Sequence, residues 1–543
     1  MHIGLDFDNT IANYDSVFKE ICFQYDLLED GWQGTKKELK QVILSLPKGE
    51  ETWMKIQGKV YGEFMHKAEL MPGIANFLFH CKIKEIPICV ISHKTEYGHF
   101  DDKKISLRNE AMKWMGEKNL FNKSYFSLTK DKVFFSSTRK EKVEKILTIG
   151  CSHFIDDLIE VFEEPHFPKD TKKILLDASC KNSNKQLSVF DNWTDINNAL
   201  LGEQHLSLIE NLVTAITKSS PDYVKAIKGG GNSQIYKISL QSKPYVLKIY
   251  PDLLLDPRPR LETEYTALDF LHQRNIRIVP KPEIKNKDFN AGIYSWVEGK
   301  EISTVSMGKI KKCVLFVTKL QEINDVRFEN FNLASEACLS GETLKQQIIT
   351  RLNNLNKVDD SDKNLNNFIN RTFQPLFEKV DQKYFSRWPV SSAEKNLNKK
   401  HLILSPSDFG LHNALIDQDN KITFLDFDYF GWDDPVKLTS DFYWHPGMKL
   451  QESHRMFWLD SMISIFSGKD SHFEKRLESA LPCYALRWIL IILNEFLEKE
   501  QKRRKHAKLT QVYNWEEVKK SQLIKALDLS SSLKRYIEKT DGI

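Results

Sequence analysis

The stretch that most constrains this chain runs from Leu404 to Pro435 and reads LSPSDFGLHNALIDQDNKITFLDFDYFGWDDP. Two apolar, β-prone runs, Ala414–Ile416 and Ile422–Phe427, flank the polar segment Asp417–Asn420. Apolar runs on either side of a short polar turn predict a β-hairpin.

Three polar side chains fall where this hairpin would bring them together. Asp408 lies five positions before Asn413, and Asp426 lies near the end of the second run. Phosphoryl transfer from ATP needs oxygen ligands for Mg²⁺ and a base for the attacking hydroxyl. Asp and Asn are also ordinary turn residues, so a merely decorated hairpin is the alternative. The order and positions of the three side chains favour a phosphotransferase site.

D-F-G-L-H-N followed by F-L-D-F-D-Y-F-G-W-D-D-P resembles the catalytic hairpin of the aminoglycoside phosphotransferase and choline kinase-like family, which has a bilobal protein-kinase-like fold. The resemblance implies that Asp408 is the catalytic base and that Asn413 and Asp426 bind Mg²⁺, with ATP as phosphoryl donor. It also implies that Asp434 is a structural buttress. The family usually has His-Gly before the catalytic Asp, where this chain has Pro406-Ser407.

Length and composition limit the classes of protein to consider. A chain of 543 residues exceeds the size of one core, so we expect two or three domains in a multidomain α/β and α+β protein. The net charge of +4 gives no general argument for nucleic-acid binding. The eight cysteines show no CxxC pair or zinc-type cluster, which fits reduced thiols in a cytoplasm. No secretory signal and no membrane span are expected.

The N-terminus carries a second set of acidic groups. Ile3–Phe7 is a short apolar run that predicts a buried strand. Side chains two apart in an extended chain point the same way, so Asp6 and Asp8 should project together from its carboxyl end. Open α/β sheets place their ligands at that end.

The segment D-F-D-N-T resembles the first motif of the haloacid dehalogenase-like phosphohydrolases, DxDxT, and the resemblance extends through about the first 175 residues. The later motifs follow in order, at Leu70–Gly73, Ile86–Ser92, Arg139–Ile149 and Cys151–Asp157. The family implies a Rossmann-like α/β fold with a helical cap, and residues of about 12–70 have the helical pattern expected of that cap. A cap argues for small substrates.

By this resemblance, Asp6 is the nucleophile that forms an aspartyl phosphate and Asp8 is the acid and base. Mg²⁺ would be held by Asp6, Asp8 and Asp156. Asp157 and Glu160 are second choices for metal support.

The resemblance also implies a set of phosphate-binding side chains. Thr10 and Ser92 are the hydroxyl members of that set. Lys142 is our choice for the motif-three lysine, with Lys140 and Lys145 as competitors on the same helix. His93 receives no role.

Domain boundaries follow from changes in composition. The polar, Asn/Ser-rich segment Ser179–Asn192 follows the last predicted strand, Ile174–Leu176. We therefore expect a phosphatase domain at 1–178, a linker at 179–204 and a kinase domain at 205–543.

Glycines at 229–231 lie between two β-prone runs, where their amides could approach phosphates. We expect nucleotide contacts from Gly230, Gly231, Asn232 and Ser233. A second element, Ala291–Val297, resembles the hinge strand of the kinase fold and implies that Ser295 and Val297 grip adenine.

Lys248 lies inside the apolar run Tyr245–Tyr250. A lysine is costly to bury unless it has a partner, so this one predicts a functional charge pair. The helix that follows offers Glu264, whose position resembles that of the family glutamate that pairs with this lysine, with Glu262 as the alternative. The resemblance implies that the pair holds Lys248 against the nucleotide phosphates.

Lys502–Lys508 (KRRKHAK) is the one concentrated basic run. A solvated helix face is the preferred interpretation over contact with a phosphorylated substrate or RNA.

Our first hypothesis is a bifunctional enzyme, a Mg²⁺-dependent phosphatase fused to an ATP-dependent kinase for a sugar, polyol or amino alcohol, in the service of surface polysaccharide synthesis. The alternative is a regulatory or scaffold protein in which one domain binds its ligand without turnover. Nucleic-acid end healing ranks lower because no P-loop motif occurs. The sequence does not indicate the oligomeric state.

Overall fold

The computed structural model divides into two compact units, Met1–Pro221 and Asp222–Ile543. It describes residues 1–29, 32, 34–100, 103–177, 187–202, 205–227, 232–253, 256–323, 331–358, 362–389, 393, 395–507 and 514–541.

The first unit is built on a parallel sheet of six strands. Its strands and a separate two-stranded ribbon are β1 (Ile3–Leu5), β2 (Ala12–Asn13), β3 (Glu69–Leu70), β4 (Ile88–His93), β5 (Val133–Ser136), β6 (His153–Asp156), β7 (Lys172–Leu176) and β8 (Leu187–Phe190). The sheet order is β5-β4-β1-β6-β7-β8, with β1 between β4 and β6 in parallel register. The carboxyl ends of β1, β4 and β6 therefore meet at one edge of the sheet.

Helices connect the strands of this sheet. They are α1 (Asp15–Gln24), α2 (Lys36–Leu44), α3 (Gly49–Tyr61), α4 (Ile74–Ile83), α5 (Leu107–Glu117), α6 (Arg139–Ile149), α7 (Ile159–Phe162), α8 (Trp193–Leu201) and α9 (Leu206–Thr217). The chain leaves the sheet through β2, forms α1, α2 and α3, and returns through β3, which pairs antiparallel with β2. This three-helix insertion occupies the region expected for the cap.

The structure corrects the predicted linker. Its second part forms β8, which pairs with β7 as the outermost strand of the sheet, and α8. The Trp193 side chain at the start of α8 is fully buried, stacks on Phe77 with ring centroids 4.8 Å apart, and donates from Nε1 to the Thr10 carbonyl oxygen. The polar composition of 179–186, which lies outside the described residues, concealed the strand that follows it. Helix α9 also belongs to the first unit, although the kinase domain was expected to start at 205.

The second unit begins with a five-stranded antiparallel sheet. Its strands are β9 (Tyr223–Ala226), β10 (Gln234–Leu240), β11 (Lys243–Ile249), β12 (Pro282–Asn286) and β13 (Ala291–Ser295), in the order β12-β13-β11-β10-β9. Helix α10 (Arg260–Gln273) joins β11 to β12. One sheet and one helix of this kind match the predicted smaller lobe.

The rest of the second unit is mainly helical. The remaining strands are β14 (Lys300–Glu301), β15 (Ile403–Ser405), β16 (Ala414–Ile416), β17 (Ile422–Phe424) and β18 (Gly431–Asp433). The helices are α11 (Met307–Glu322), α12 (Gly341–Leu355), α13 (Lys363–Phe368), α14 (Gln374–Lys383), α15 (Pro435–Trp444), α16 (Glu452–Phe466), α17 (Phe473–Ile492), α18 (Glu498–Ala507) and α19 (Trp515–Asp541). A large apolar core formed by these helices and by α10 supports the hairpin β16–β17.

Helix α17 is the central helix of this core. With the turn that follows it, Phe473–Phe496 is long and apolar enough to cross a membrane by length and composition alone, but 78% of its most apolar window is buried inside the unit.

Candidate active sites

The predicted hairpin is present in the second unit. Strands β16 and β17 pair antiparallel, with Ala414 opposite Phe424, and the second strand ends before Asp426. Asp426 has a φ of 66° and Ser407 also has a φ of 66°. Non-glycine residues in the left-handed region cost roughly 1 kcal/mol and cluster at functional sites. Both turns aim their side chains into one cleft.

Lys248 on β11 joins the small lobe to this hairpin. Its Nζ lies 2.6 Å from Glu264 Oε2 and 2.6 Å from Asp426 Oδ1. Burial disfavours its charge, but the carboxylates of Asp426 and Glu264 hold the pKa of Lys248 well above its usual range. Glu262, the alternative partner, instead pairs with Lys285. Lys248 is therefore a charged group fixed beside Asp426.

Glu264 is itself held in place. Its Oε2 accepts a hydrogen bond from the Tyr250 hydroxyl at 2.6 Å, and its Oε1 accepts one from the Phe427 amide at 3.4 Å. Glu264 thus ties α10 to the residue that follows Asp426.

Two stacked histidines hold the Asp408 carboxylate. His412 Nε2 lies 3.1 Å and His445 Nε2 lies 3.5 Å from Asp408 Oδ1, and the two rings stack with centroids 3.7 Å apart. The Gly447 amide donates to His445 Nδ1 at 3.1 Å, so the neutral His445 ring carries its proton on Nε2. His445 is therefore a donor to Asp408.

The electrostatics of Asp408 follow from these bonds. Burial opposes ionisation, but hydrogen bonds from His412 and His445 hold the pKa of Asp408 well below its usual range. Burial and the neighbouring His412 lower the pKa of His445. The Asp408 side chain is still 37% exposed to the cleft, so its carboxylate is both ionised and accessible. A carboxylate of this kind can accept a proton from a bound alcohol.

The departure at Pro406-Ser407 has a structural counterpart. The Ser407 hydroxyl accepts a hydrogen bond from Lys437 Nζ at 2.7 Å, and its amide donates to Ser405 Oγ at 3.0 Å. Lys437 is buried on α15 and also pairs with Asp441 at 3.0 Å. The loop that carries Asp408 is thus anchored by a lysine from the next helix.

Asp434 has the buttressing position that the resemblance implied. Its carboxylate accepts from the Val436 amide at the start of α15 and from two nitrogens of Arg476, at 2.9 and 3.1 Å. Arg476 also donates to Asp470 at 2.6 Å. These buried contacts fix α15 to α17 behind the site.

Asn413 and Asp426 present the oxygens expected of Mg²⁺ ligands. The Asn413 amide nitrogen donates to the Asp408 carbonyl at 3.0 Å and to Asp408 Oδ2 at 3.3 Å. This leaves the Asn413 amide oxygen without a partner among the described residues, and the Asp426 side chain is 40% exposed. A carboxylate and a carboxamide oxygen fit a hard cation.

These side chains line one cleft of about 970 Å³ in the second unit. Asn232, Ser233, Ser295 and Val297 also line it, as expected of a nucleotide site, and the buried Ser233 hydroxyl has no hydrogen-bond partner among the described residues. Gly230 and Gly231 lie outside the described residues. A cleft of this volume is at the upper end of small-ligand sites.

In the first unit, Lys142 joins the ends of two neighbouring strands. Its Nζ lies 2.5 Å from Asp6 Oδ1, after β1, and 2.6 Å from Asp156 Oδ2, at the end of β6. Lys140 is exposed on the same helix, and Lys145 lies over the Phe134 ring, so Lys142 is the lysine at this site.

The charges of this buried group are coupled. Burial raises the pKa of Asp6 to about 7, although the Lys142 ammonium opposes the shift. Burial disfavours the charge of Lys142, but Asp156 and Asp6 hold its pKa above the usual range. Asp157 completes a carboxylate group with Asp6 and Asp156, with ligand oxygens within 4.8 Å of one another. Three carboxylates fit a divalent cation.

Asp8, the third metal ligand expected, has other partners. Both its carboxylate oxygens accept hydrogen bonds from Lys94 Nζ at 2.9 Å, and Oδ1 also accepts one from the Tyr14 hydroxyl at 2.5 Å. The structure thus places the Asp8 carboxylate outside the Asp6–Asp156–Asp157 group, and the second-choice residue Asp157 is in it. Glu160 is exposed and lies outside the group.

Two buried hydroxyls, one in the segment after β1 and one in β4, have no partner among the described residues. They are Thr10 Oγ1 and Ser92 Oγ. A buried polar atom is costly unless it is satisfied, so each hydroxyl is available to a bound ligand.

Sequence reasoning missed two lysines of this site. Lys94 comes directly after Ser92-His93, and its buried Nζ against Asp8 was not foreseen. Lys36, on the three-helix insertion, donates to Asn9 Oδ1 at 2.6 Å, and Asn9 donates to Asp157 Oδ2 at 3.0 Å. A lysine immediately after the strand that carries Ser92 was an available signal for Lys94.

In the second unit, sequence reasoning missed His412, His445 and two arginines of the basic run. Arg503 and Arg504 line the cleft, whereas the run was interpreted as a solvated helix face. Lys508 lies outside the described residues.

Known proteins resemble part of this chain. The profile of the phosphotransferase enzyme family matches residues 224–445. A spectinomycin phosphotransferase solved with ADP and spectinomycin is 14% identical, with 59% of this chain and 98% of that chain covered and a TM-score of 0.39. A Plasmodium vivax ethanolamine kinase is 12% identical, with 62% and 93% covered and a TM-score of 0.41.

A choline kinase from Streptococcus pneumoniae is 11% identical, with 60% and 98% covered and a TM-score of 0.38. No curated protein matches this chain. The matched family implies ATP as phosphoryl donor, usually with Mg²⁺. Residues 224–445 thus form a domain that matches the phosphotransferase enzyme family.

Proposed function

We propose that the chain is a bifunctional enzyme. The second unit transfers the γ-phosphoryl group of ATP to an alcohol group of a small molecule, and the first unit hydrolyses a phosphate monoester by the haloacid dehalogenase route. The observation that carries the kinase half is the pairing of Lys248 with both Glu264 and Asp426, beside an Asp408 carboxylate held by two histidines.

In the kinase, each side chain has a separate task. Lys248, positioned by Glu264, neutralises the α- and β-phosphates of ATP. Asn413 and Asp426 would hold Mg²⁺, which offsets the negative charge of the phosphates when it is bound. Ser233 offers its unpartnered hydroxyl to a phosphate oxygen, and Ser295 and Val297 lie in the lining expected beside the adenine.

The proton transfer falls to Asp408. Two imidazole N–H groups occupy Oδ1, whereas Oδ2 accepts one long hydrogen bond, from Asn413 at 3.3 Å, so Oδ2 is the oxygen that accepts the proton of the attacking alcohol. The alcohol oxygen then forms the new bond to the γ-phosphorus, and ADP leaves. Because the histidines stabilise the carboxylate, Asp408 is ionised and ready at neutral pH.

In the phosphatase, Asp6 attacks the phosphorus of a monoester and forms an aspartyl phosphate. Asp8 gives a proton to the leaving alcohol and then takes one from the water that hydrolyses the intermediate. Thr10 and Ser92 donate their hydroxyls to the phosphate oxygens, and Lys142 neutralises them. Asp6, Asp156 and Asp157 would hold a Mg²⁺ ion that screens the incoming phosphate when it is bound. The observation that supports this half is the Lys142 bridge between Asp6 and Asp156, together with the buried Thr10 and Ser92 hydroxyls that have no partner among the described residues.

Two assays test these activities separately. Mg²⁺-dependent ATP consumption with a panel of alcohols should be abolished by Asp408→Asn. Hydrolysis of p-nitrophenyl phosphate should be abolished by Asp6→Asn and kept by Asp408→Asn. ATP consumption that is unchanged in a folded Asp408→Asn variant would contradict the kinase assignment.

A further inference from the structure

Beyond Asp408, the cleft of the second unit continues along α15, α17 and α18, and we call this part the acceptor end. Trp488 packs edge-on against His445 with ring centroids 4.6 Å apart, so this wall is continuous with the side chains that hold the base. The Tyr429 hydroxyl, three residues after Asp426, accepts hydrogen bonds from Arg258 and Arg260 at 2.9 Å on the other wall. Both walls therefore lie beside the catalytic carboxylates.

Carboxylates of the acceptor end are already paired. Glu336 accepts from Arg487 at 2.8 Å and also pairs with Arg351. Asp441 pairs with Lys437 at 3.0 Å and accepts from Trp488 Nε1 at 2.8 Å. Neither carboxylate is left to neutralise a cationic substrate.

On the opposite wall, carboxylates are likewise paired with basic side chains. Asp256 is shared by Arg258 at 2.6 Å, Arg260 at 2.8 Å and Arg503 at 3.9 Å. Asp428 pairs with Arg260, and Glu500 pairs with Arg503 at 2.5 Å. The three carboxylates of this wall are thus all paired with its three guanidinium groups.

Positive charge is left over at this end. Seven basic side chains line it outside the catalytic set, and all of them except Lys499 pair with a carboxylate. Lys499 on α18 is exposed in the cleft, and no described residue pairs with its ammonium group. Arg503 Nε is buried with no hydrogen-bond partner in the part of the chain that the structure describes, and Arg504 lines the same wall while pairing with Glu495. The charge that remains is complementary to an anion.

From this arrangement we infer that the kinase acceptor is an anionic alcohol, one that carries a phosphate or carboxylate group bound by Lys499, Arg503 and Arg504. The inference rests on the proposed kinase function and names its substrate class. It excludes amino alcohols as the preferred acceptors, because they would bring a cation to a wall whose carboxylates are all neutralised. The basic run in the sequence is then a substrate-binding element.

The test uses the full chain with Asp6→Asn, so that the first unit does not consume phosphorylated acceptors. Transfer from ATP is measured with matched alcohols, namely glycerol and glycerol 3-phosphate, glucose and glucose 6-phosphate, and choline and ethanolamine. The expected result is a higher kcat/KM for the phosphorylated member of each pair, by about tenfold for one charge-assisted contact. Added salt should reduce this preference because it screens the attraction.

Variants test whether α18 causes the preference for phosphorylated acceptors. Lys499→Glu should raise KM for the phosphorylated acceptor by about tenfold and leave KM for ATP unchanged. Lys525→Glu, at an exposed lysine on α19, is the matched control and should behave as the parent. Calorimetric binding of glycerol 3-phosphate and glucose 6-phosphate, with a non-hydrolysable ATP analogue and Mg²⁺, repeats the comparison without turnover. If the phosphorylated alcohols no longer bind to Lys499→Glu but still bind to Lys525→Glu, their binding site lies in the second unit.

Three outcomes overturn the inference. One is that choline or ethanolamine is the best acceptor. Another is that Lys499→Glu and Lys525→Glu have the same KM for the phosphorylated acceptors and bind them equally well in calorimetry. The third is a rise in KM for ATP rather than for the acceptor, which would assign the anion to the nucleotide. If no acceptor gives phosphoryl transfer that depends on Asp408, the proposed kinase function itself is contradicted. The calorimetric binding measurements would still decide whether Lys499 binds an anionic alcohol.

Discussion

His412 Nε2 lies 3.1 Å from Asp408 Oδ1, and the His445 ring stacks on the same imidazole with ring centroids 3.7 Å apart. The histidine that usually precedes the catalytic Asp in the resembling family is absent here, since Pro406-Ser407 takes its place. Two histidines that follow Asp408 in the chain supply the hydrogen bonds instead. The orientation and ionisation of the base therefore depend on His412 and His445.

This dependence predicts a pH effect. His445→Phe keeps the stacked ring but removes the donor to Asp408, so the pKa of Asp408 should rise toward its usual value. A base must be ionised to act, so the acid limb of kcat/KM should move to higher pH, by about one unit for one hydrogen bond to a charged group. His445→Gln, which keeps a donor, should move it less. An unchanged acid limb in His445→Phe would remove His445 from this role.

Substitution of Asp426 should reduce the rate of phosphoryl transfer without unfolding the protein. Asp426→Ala removes a carboxylate from both Lys248 and the proposed Mg²⁺ site, and should cost about 3 kcal/mol or more of transition-state stabilisation. Asp419→Ala, on the exposed turn of the same hairpin, is the control and should retain parental kcat. Steady-state kinetics on both variants decide the matter, and full turnover by Asp426→Ala would contradict the hairpin assignment.

The buried Asp434–Arg476–Asp470 group predicts a stability effect. Arg476→Met leaves two carboxylates without their partner, and breaking a buried pair costs about 3–5 kcal/mol in the free energy of unfolding. Arg535→Met, at an exposed arginine on α19, should change that free energy by less than about 0.5 kcal/mol. Urea unfolding, followed through the transition of the second unit, measures the free energy of unfolding of both variants. Equal stability of the two variants would refute the buttressing role.

The corrected domain boundary predicts how the chain can be divided. A fragment ending at 178 lacks β8 and α8 and exposes the surface of Phe77 that Trp193 covers. It should be aggregated or partly unfolded, whereas a fragment ending at 221 should give a cooperative unfolding transition. Near-UV circular dichroism and thermal melts distinguish the two. A fragment 1–178 as stable as 1–221 would restore the original boundary.

The sequence allowed prediction of those parts of the fold and the site that depend on local pattern. The hairpin β16–β17, the Lys248–Glu264 pair and the choice of Lys142 rest on residues whose type and position in one element carry the information. The end of β1 followed by Asp6 is of the same kind, because apolar runs ending in acids are visible without tertiary contacts.

The parts that could not be predicted depend on contacts between distant segments. Asp408 and His445 are separated by a whole hairpin and a helix, and their contact is set by how α15 packs. Strand β8 was hidden behind a polar segment, because an edge strand needs only a short apolar run. Arg503 lines the cleft because of where α18 packs in the second unit, and a run of charged residues does not by itself predict that packing.

The most direct test of two separate phosphoryl chemistries on one chain is phosphorus NMR of the full-length protein with ATP, Mg²⁺ and a phosphorylated alcohol. We expect a new phosphate monoester to form from ATP and an existing one to be released as inorganic phosphate. Asp408→Asn should stop only the first process and Asp6→Asn only the second. If neither process depends on these residues, or if one folded variant stops both together, the account is contradicted.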